Sequence, residues 1–346
     1  MHGKLGRVTL QDVADHAGVG VATVDRVLNN RAPVRAKTAA LVLAAAEELD
    51  FYGKGLIRRR IAEMAPRKRL GFILQKEGKW FYRTLAGELH RAADDLNRIR
   101  ASVEIRYVES LSPEALGEEI ALMGQRVDAI GVVSVDHPAV TAAVVSAQEI
   151  GLPVFAMLSP LSVPGLAGFV GVDGRRAGRT AGWAMARMVG PDAEIGILVG
   201  SHRYLGHEAR EVGFRSYMRE FAPETRLRDS IVYLDDPDVA YEAASELLHK
   251  CPDMTGLYHC GGGVAGVVRA LREAGRSDQT TYICYERSPT AIAALAEGIV
   301  DLVVATPLEQ VARNVTRAMQ AALLPQLGEA TLLPPLDFQV ITSENA

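Results

Sequence analysis

The sequence predicts an α/β protein in two parts: an N-terminal three-helix helix-turn-helix head, then a two-lobed body of doubly wound parallel sheets. Three observations lead there. Two short amphipathic helical patterns pivot on Gly18 in "TLQDVADHAGVGVATVDRVLNN", residues 9–30. From Leu70 onward, apolar strand-like runs alternate with stretches of helical length. Charge divides the same way: residues 1–69 carry 13 Lys+Arg against 7 Asp+Glu, a net of +6, which leaves 25 against 35, a net of −10, for the rest. A basic front on an acidic back suits a chain in which only the first segment meets a polyanion.

Composition sets the outer limits. With 48% hydrophobic and 23% charged residues, the chain is an ordinary globular one, long enough for two or three domains. No apolar run approaches the ~18 residues of a membrane span. The opening "MHGKLGRVTLQD" has no signal-peptide core, so a cytoplasmic location is expected. Cys251, Cys260 and Cys284 lack C-x-x-C spacing and sit in or beside apolar stretches, which predicts buried thiols and no metal.

In the head, Thr9 and Asp12 have the spacing of a helix start, and Leu10, Val13, Ala14 and Ala17 then share a face. Gly18 closes this helix in the left-handed conformation that glycine adopts cheaply. A second helix turns Val24, Val27 and Leu28 inward; a third, from about Thr38 to Leu49, presents Val42, Ala46 and Leu49. This head covers residues 1–53. Residues 54–68, "KGLIRRRIAEMAPRK", read as a basic linker or hinge in which Arg58, Arg59 and Arg60 can meet phosphate.

The body, 69–346, supplies eleven strand-like runs: "LGFIL", "VEIRYV", "AIGVVSV", "PVFAML", "GFVGV", "EIGILVG", "SIVYL", "GLYHC", "TYICY", "DLVVAT" and "LDFQVIT". Eleven exceed one comfortable sheet. Two lobes are expected, the first from about 69–172 with 302–325 and the second from about 173–301 with 326–342. A cleft should lie between them at the carboxyl ends of the strands.

Head and body together resemble the LacI/GalR family of transcription regulators, on "VTLQDVADHAGV", "TVDRVLNN" and "KTAALVLAAAEELDF" and on the two-lobed body, which is similar to type I periplasmic sugar-binding proteins. The resemblance implies a homodimer that binds double-stranded, roughly palindromic operator DNA and represses by family habit, with no cofactor and no catalysis. It places the second helix in the major groove. Arg26 then reads guanine, Val21 and Ala22 offer apolar contact to a thymine methyl, and Thr9, Thr23, Asn29 and Lys37 face phosphates. Asp25 stands where many relatives have serine, and can accept from cytosine N4, from Arg26 or from the helix backbone. Relatives have an alanine-rich hinge helix ending in a leucine wedge; here Leu56, Ile57 and Ile61 are the candidates.

For the effector, a small polar molecule with a sugar or polyol favoured, the resemblance points to Trp80 and Phe81 as stacking aromatics and to Arg210, Glu286 and Thr306 as polar contacts. Asp136, at a strand end, either faces the cleft or caps the next helix. Leu158, Ser159 and "CGGGVAG" depart from the pattern of the common sugar binders, so the pocket chemistry should differ from theirs. Arg203, Arg210 and His202 keep a sugar phosphate or other anionic metabolite as an alternative. The competing class is an NAD-dependent enzyme, because Gly261, Gly263 and Gly266 spell G-x-G-x-x-G with Glu286 arriving 20 residues later. Its position deep in the second lobe, without a catalytic constellation, opposes that reading.

Overall fold

The computed structural model describes residues 7–29, 34–110, 112–325 and 333–346. Part of the expected second-lobe segment, 326–332, therefore lies outside the described residues.

The head begins with α1 (Leu10–Ala17) and α2 (Val21–Asn29), followed by α3 (Ala36–Glu48) and α4 (Lys54–Met64). Thr9 and Asp12 form a reciprocal capping box, with the Asp12 carboxylate accepting from the Thr9 amide at 2.8 Å. Gly18 ends α1 at φ 65°, as the sequence predicts. Val13, Ala14, Val24, Val27, Val42 and Ala46 bury completely or nearly so around Phe51.

The expected linker is different. Residues 54–64 form a helix, and Ile57 is fully buried in the head core with Ile61 packed beside it. Two isoleucines four apart put one apolar face on the head, so the segment is the head's fourth helix. Of the three wedge candidates, Leu56 alone is exposed, at 44%.

The body then runs β1 (Arg67–Gln75), α5 (Trp80–Asp94), β2 (Arg100–Val108), α6 (Pro113–Gly124), β3 (Ala129–Val132), α7 (Pro138–Glu149), β4 (Val154–Met157) and β5 (Gly168–Val170). After these come α8 (Gly174–Met188), β6 (Glu194–Val199), α9 (Leu205–Phe221), β7 (Arg226–Val232), α10 (Pro237–Lys250), β8 (Met254–His259), α11 (Val264–Glu273), β9 (Thr281–Tyr285), α12 (Pro289–Ala296), β10 (Leu302–Ala305), α13 (Leu308–Leu323) and β11 (Gln339–Ile341). All eleven expected strands are present. They form a five-stranded sheet ordered β2-β1-β3-β4-β5 and a six-stranded sheet ordered β11-β10-β9-β8-β6-β7. Read from β7, the second sheet repeats the 2-1-3-4-5 order of the first and adds β11 antiparallel at its edge. Each sheet therefore has its switch point beside its first strand, where ligand crevices open beyond the carboxyl ends.

One lobe boundary moves. The sequence assigns 302–325 to the first lobe, yet β10 pairs with β9 in the second sheet, while α13 packs its Val311, Val315 and Met319 into the first lobe's core. The chain crosses between lobes at Thr306–Pro307, a few residues later than expected, because "LVVA" is a central strand that needs neighbours on both sides. Cys251, Cys260 and Cys284 are free and buried, as expected.

Candidate functional site

The cleft is built where the two switch points face each other. Its inner cavity is narrow, about 60 Å³, below the ~300–1,000 Å³ typical of small-molecule sites. From the first lobe come Lys79, Phe81 and Tyr82 at the start of α5, and Leu158 after β4. From the second come Arg210 on α9, Asp235 after β7, Gly261 and Gly262 after β8, and Tyr285 and Glu286 at the end of β9. Thr306 sits on the crossover itself, its hydroxyl 2.8 Å from that of Tyr285.

Arg210 is 6% exposed. It donates to the Cys260 carbonyl at 3.2 Å, and its guanidinium lies 3.5 Å over the Tyr285 ring. Its Nε has no hydrogen-bond partner. Neither Glu208 nor Glu211 pairs with it: Glu211 is held by Arg215 at 2.6 Å and by His202 at 2.7 Å. The arginine is positioned by glycines, since Gly178 of α8 lies so close that a Cβ there would fall 1.9 Å from the Arg210 carbonyl oxygen. A buried guanidinium with an idle donor is costly unless something else accepts from it.

Opposing charges meet around it. Lys79 reaches across the cleft and donates to the Asp235 carbonyl. Burial lowers the Lys79 pKa, against the opposing pull of Asp235. Burial acts to raise Asp235, but His207, Lys79 and the 2.9 Å hydrogen bond from the Gly262 amide outweigh it and keep its pKa low. Glu286 goes the other way: burial and the neighbouring Asp235 lift it to about 7. His207 and His259 are pushed down to about 4 by burial and stand neutral. His259 is locked between the Tyr282 and Tyr233 hydroxyls at 2.7 and 2.6 Å, a relay lying directly under the Gly262 loop. Backbone strain gathers at the same place, for Leu158 (φ 64°), Asp235 (φ 51°) and Glu286 (φ 101°) all have positive φ. Each such residue costs on the order of 1–3 kcal/mol, which concentrates at functional sites.

Of the six effector residues expected from sequence, the cavity unites Phe81, Arg210, Glu286 and Thr306. Trp80 does not line it; its ring is 37% exposed in an adjoining hollow. Asp136 neither faces the cavity nor caps α7, a task His137 performs. Its carboxylate accepts from the Ser162 amide at 2.8 Å, and its own amide donates to the Arg203 carbonyl at 2.9 Å. Because β3 ends at Val132, four residues earlier, Asp136 has already left the strand end. His202 and Arg203 also lie outside the cavity. Lys79, Tyr82, Asp235 and Tyr285 were not singled out by sequence.

The glycine loop is likewise explained from within. Gly262 gives its amide to Asp235, Gly263 opens α11 at φ 87°, and Gly266 lets α11 pack on α10, where a Cβ would come within 1.8 Å of the Pro237 carbonyl oxygen. A carboxylate already occupies the place a pyrophosphate needs, so the dinucleotide reading has no support here.

On the head, α2 buries Val24 and Val27 and turns Ala22 and Arg26 outward, with Val21 and Thr23 half-buried. Lys37 is exposed at the start of α3. Asp25 accepts from Asn29 at 2.6 Å, an i,i+4 partner that was not among the three considered, and so engages one phosphate candidate. Thr9 spends its hydroxyl on the α1 cap. Arg58 is exposed and paired with Glu47 at 2.5 Å; Arg59 is exposed and Arg60 half-buried.

These features define a class: a two-lobed binding protein behind a helix-turn-helix head. The model described as a periplasmic binding protein domain matches residues 120–327, more than half of the chain, and the one described as bacterial regulatory proteins, lacI family, matches residues 9–53. The chain belongs to the periplasmic-binding-protein domain family and, through its head, is a regulator of LacI/GalR type. It is 26% identical over 212 residues to a D-ribose/D-allose-binding protein of Pseudomonas aeruginosa, a match covering 57% of this chain and 62% of that one. Among solved structures it is similar to a glucose-galactose binding protein from Geobacillus stearothermophilus (TM-score 0.72, 19% identity, 80% of this chain and 99% of that one). It is also similar to a solute-binding protein from Actinobacillus succinogenes with bound D-allose (TM-score 0.71, 20% identity, 80% and 98%).

Proposed function

We propose that the protein is a DNA-binding transcriptional repressor whose operator affinity is set by a neutral sugar or polyol held in the inner cavity. The observation that carries this reading is the composition of that cavity. Two cations, Lys79 and Arg210, face two acids, Asp235 and Glu286, so an uncharged ligand leaves the balance intact whereas a phosphate would not. Hydroxyls both donate and accept, matching a guanidinium with an idle Nε and carboxylates with free lone pairs. Phe81 and Tyr82 supply the apolar faces that a sugar ring needs. The names of the similar proteins, which bind ribose, allose, glucose or galactose, agree with this class.

The chain acts as a cytoplasmic homodimer in this reading, its paired α2 helices entering successive major grooves of a near-palindromic site. Bridging the lobes favours one arrangement of the body, and only the ligand's preference for that arrangement transmits to the head. Thermal-shift titration with pentoses, hexoses and polyols tests the proposal: a ligand at 100 times its Kd adds ~2.7 kcal/mol of stability. Stabilisation by sugar phosphates alone would contradict it.

A further inference from the structure

The hollow beside the inner cavity has a volume of about 280 Å³ and shares Phe81 and Thr306 as a common wall. Resting on the sugar reading above, we propose that it is a second carbohydrate subsite, so that the natural effector is a disaccharide or glycoside with one ring inside and the next lying against Trp80.

Trp80 is the first residue of α5, and among the described residues no other ring stacks on it. An indole at the mouth of a polar hollow offers an apolar face to the C–H side of a sugar ring. Around it stand groups suited to hydroxyls: the Thr84 hydroxyl and the amides of Gln310 and Gln339. Glu88, Glu309 and Arg287 also line the hollow, and each glutamate already engages an arginine outside it, Arg91 and Arg313. The lining also comes from both lobes, Trp80 and Gln310 from the first and Arg287 and Gln339 from the second. A ring held here would therefore sense the same lobe arrangement as one in the inner cavity.

The chain has two tryptophans, Trp80 and Trp183. Full-length Trp183→Phe, whose replaced ring is a surface residue 45% exposed, leaves Trp80 as the reporter. Its emission is followed during titration with glucose, galactose and ribose, and then with disaccharides and aryl glycosides of the same sugars. At least one extended ligand is expected to bind ten-fold or more tighter than its parent monosaccharide and to shift Trp80 emission where the monosaccharide does not. Calorimetry on Trp80→Ala should reduce that affinity ratio to near one. Monosaccharides binding with no gain from any extension would overturn the subsite and leave the sugar reading standing. An equal loss for both sizes on Trp80→Ala would also overturn it. Binding of neither size would contradict both readings.

Discussion

Glu286 shows how much one side chain can say that the sequence alone cannot. Its place at the end of a strand was legible, but its ionisation follows from burial next to Asp235, which becomes a neighbour only when the β7–α10 and β9–α12 turns meet. A carboxyl with a pKa of about 7 accepts from ligand hydroxyls best when ionised, and ligand binding therefore competes with its proton. Effector affinity should rise by about ten-fold from pH 6 to pH 8 if the bound group stays ionised throughout. Glu286→Gln should bind more weakly and lose the slope, as calorimetry at several pH values would show. The slope for stability has the opposite sign. A carboxyl raised above its unfolded value of 4.5 favours the folded state at low pH, and that contribution is lost as pH rises through 7. His207 and His259, depressed to about 4, act against it, with stability lost as pH falls from 6.5 toward 4. Lys79 and Asp235 escaped sequence reading for ordinary reasons. A lysine before three aromatics looks like surface, and "LDDPD" looks like a helix cap, which Asp236 indeed supplies.

At the scale of elements, the strands were legible because buried parallel strands are nearly continuous apolar runs, "LGFIL" and "TYICY" among them. Asp136 was misplaced because an apolar run does not reveal where hydrogen bonding stops: "AIGVVSV" stays buried to Val135 although the strand ends at Val132. The α4 helix was hidden by its arginines, which drew the segment toward a linker while Ile57 and Ile61 held it to the head. Packing of α8 on α9 makes a sharper prediction. Gly178, Gly182 and Gly213 let these helices approach at backbone distance, and that approach seats Arg210. Gly178→Ala should push α9 outward, lowering the melting temperature by several degrees, in line with an overpacking cost of ~1–3 kcal/mol, and weakening effector binding further than stability alone explains. Gly190→Ala, with no atom within 4 Å of its new Cβ, is the control. On α2, Arg26→Ala should cost ~1–3 kcal/mol at its cognate base pair and relax selection there. Retained discrimination in a binding-site selection experiment would remove the base-reading role.

Over the whole molecule, two units of opposite charge are joined in one chain. In the proposed function the basic head meets DNA, the acidic body is held off it, and the cleft changes the head's affinity by preferring one arrangement of the lobes. Both units were foreseeable from the charge division and from the change of pattern at Leu70, whereas the crossover of β10 and α13 between lobes was not, because a strand and the helix after it are usually neighbours. The claim that binds all of this is that cleft occupancy and DNA affinity are coupled. Fluorescence anisotropy measures it most directly, using a labelled duplex selected from random DNA by the full-length chain, titrated with and without the saccharide that gives the largest thermal shift. Saturating saccharide should change the DNA dissociation constant by roughly 5–150-fold, the usual range of such couplings. Arg210→Ala should bind the duplex as the natural chain does in the absence of saccharide and respond to saccharide only weakly. A saccharide that calorimetry shows to occupy the cleft, yet leaves the dissociation constant of the natural chain unaltered, would contradict the account.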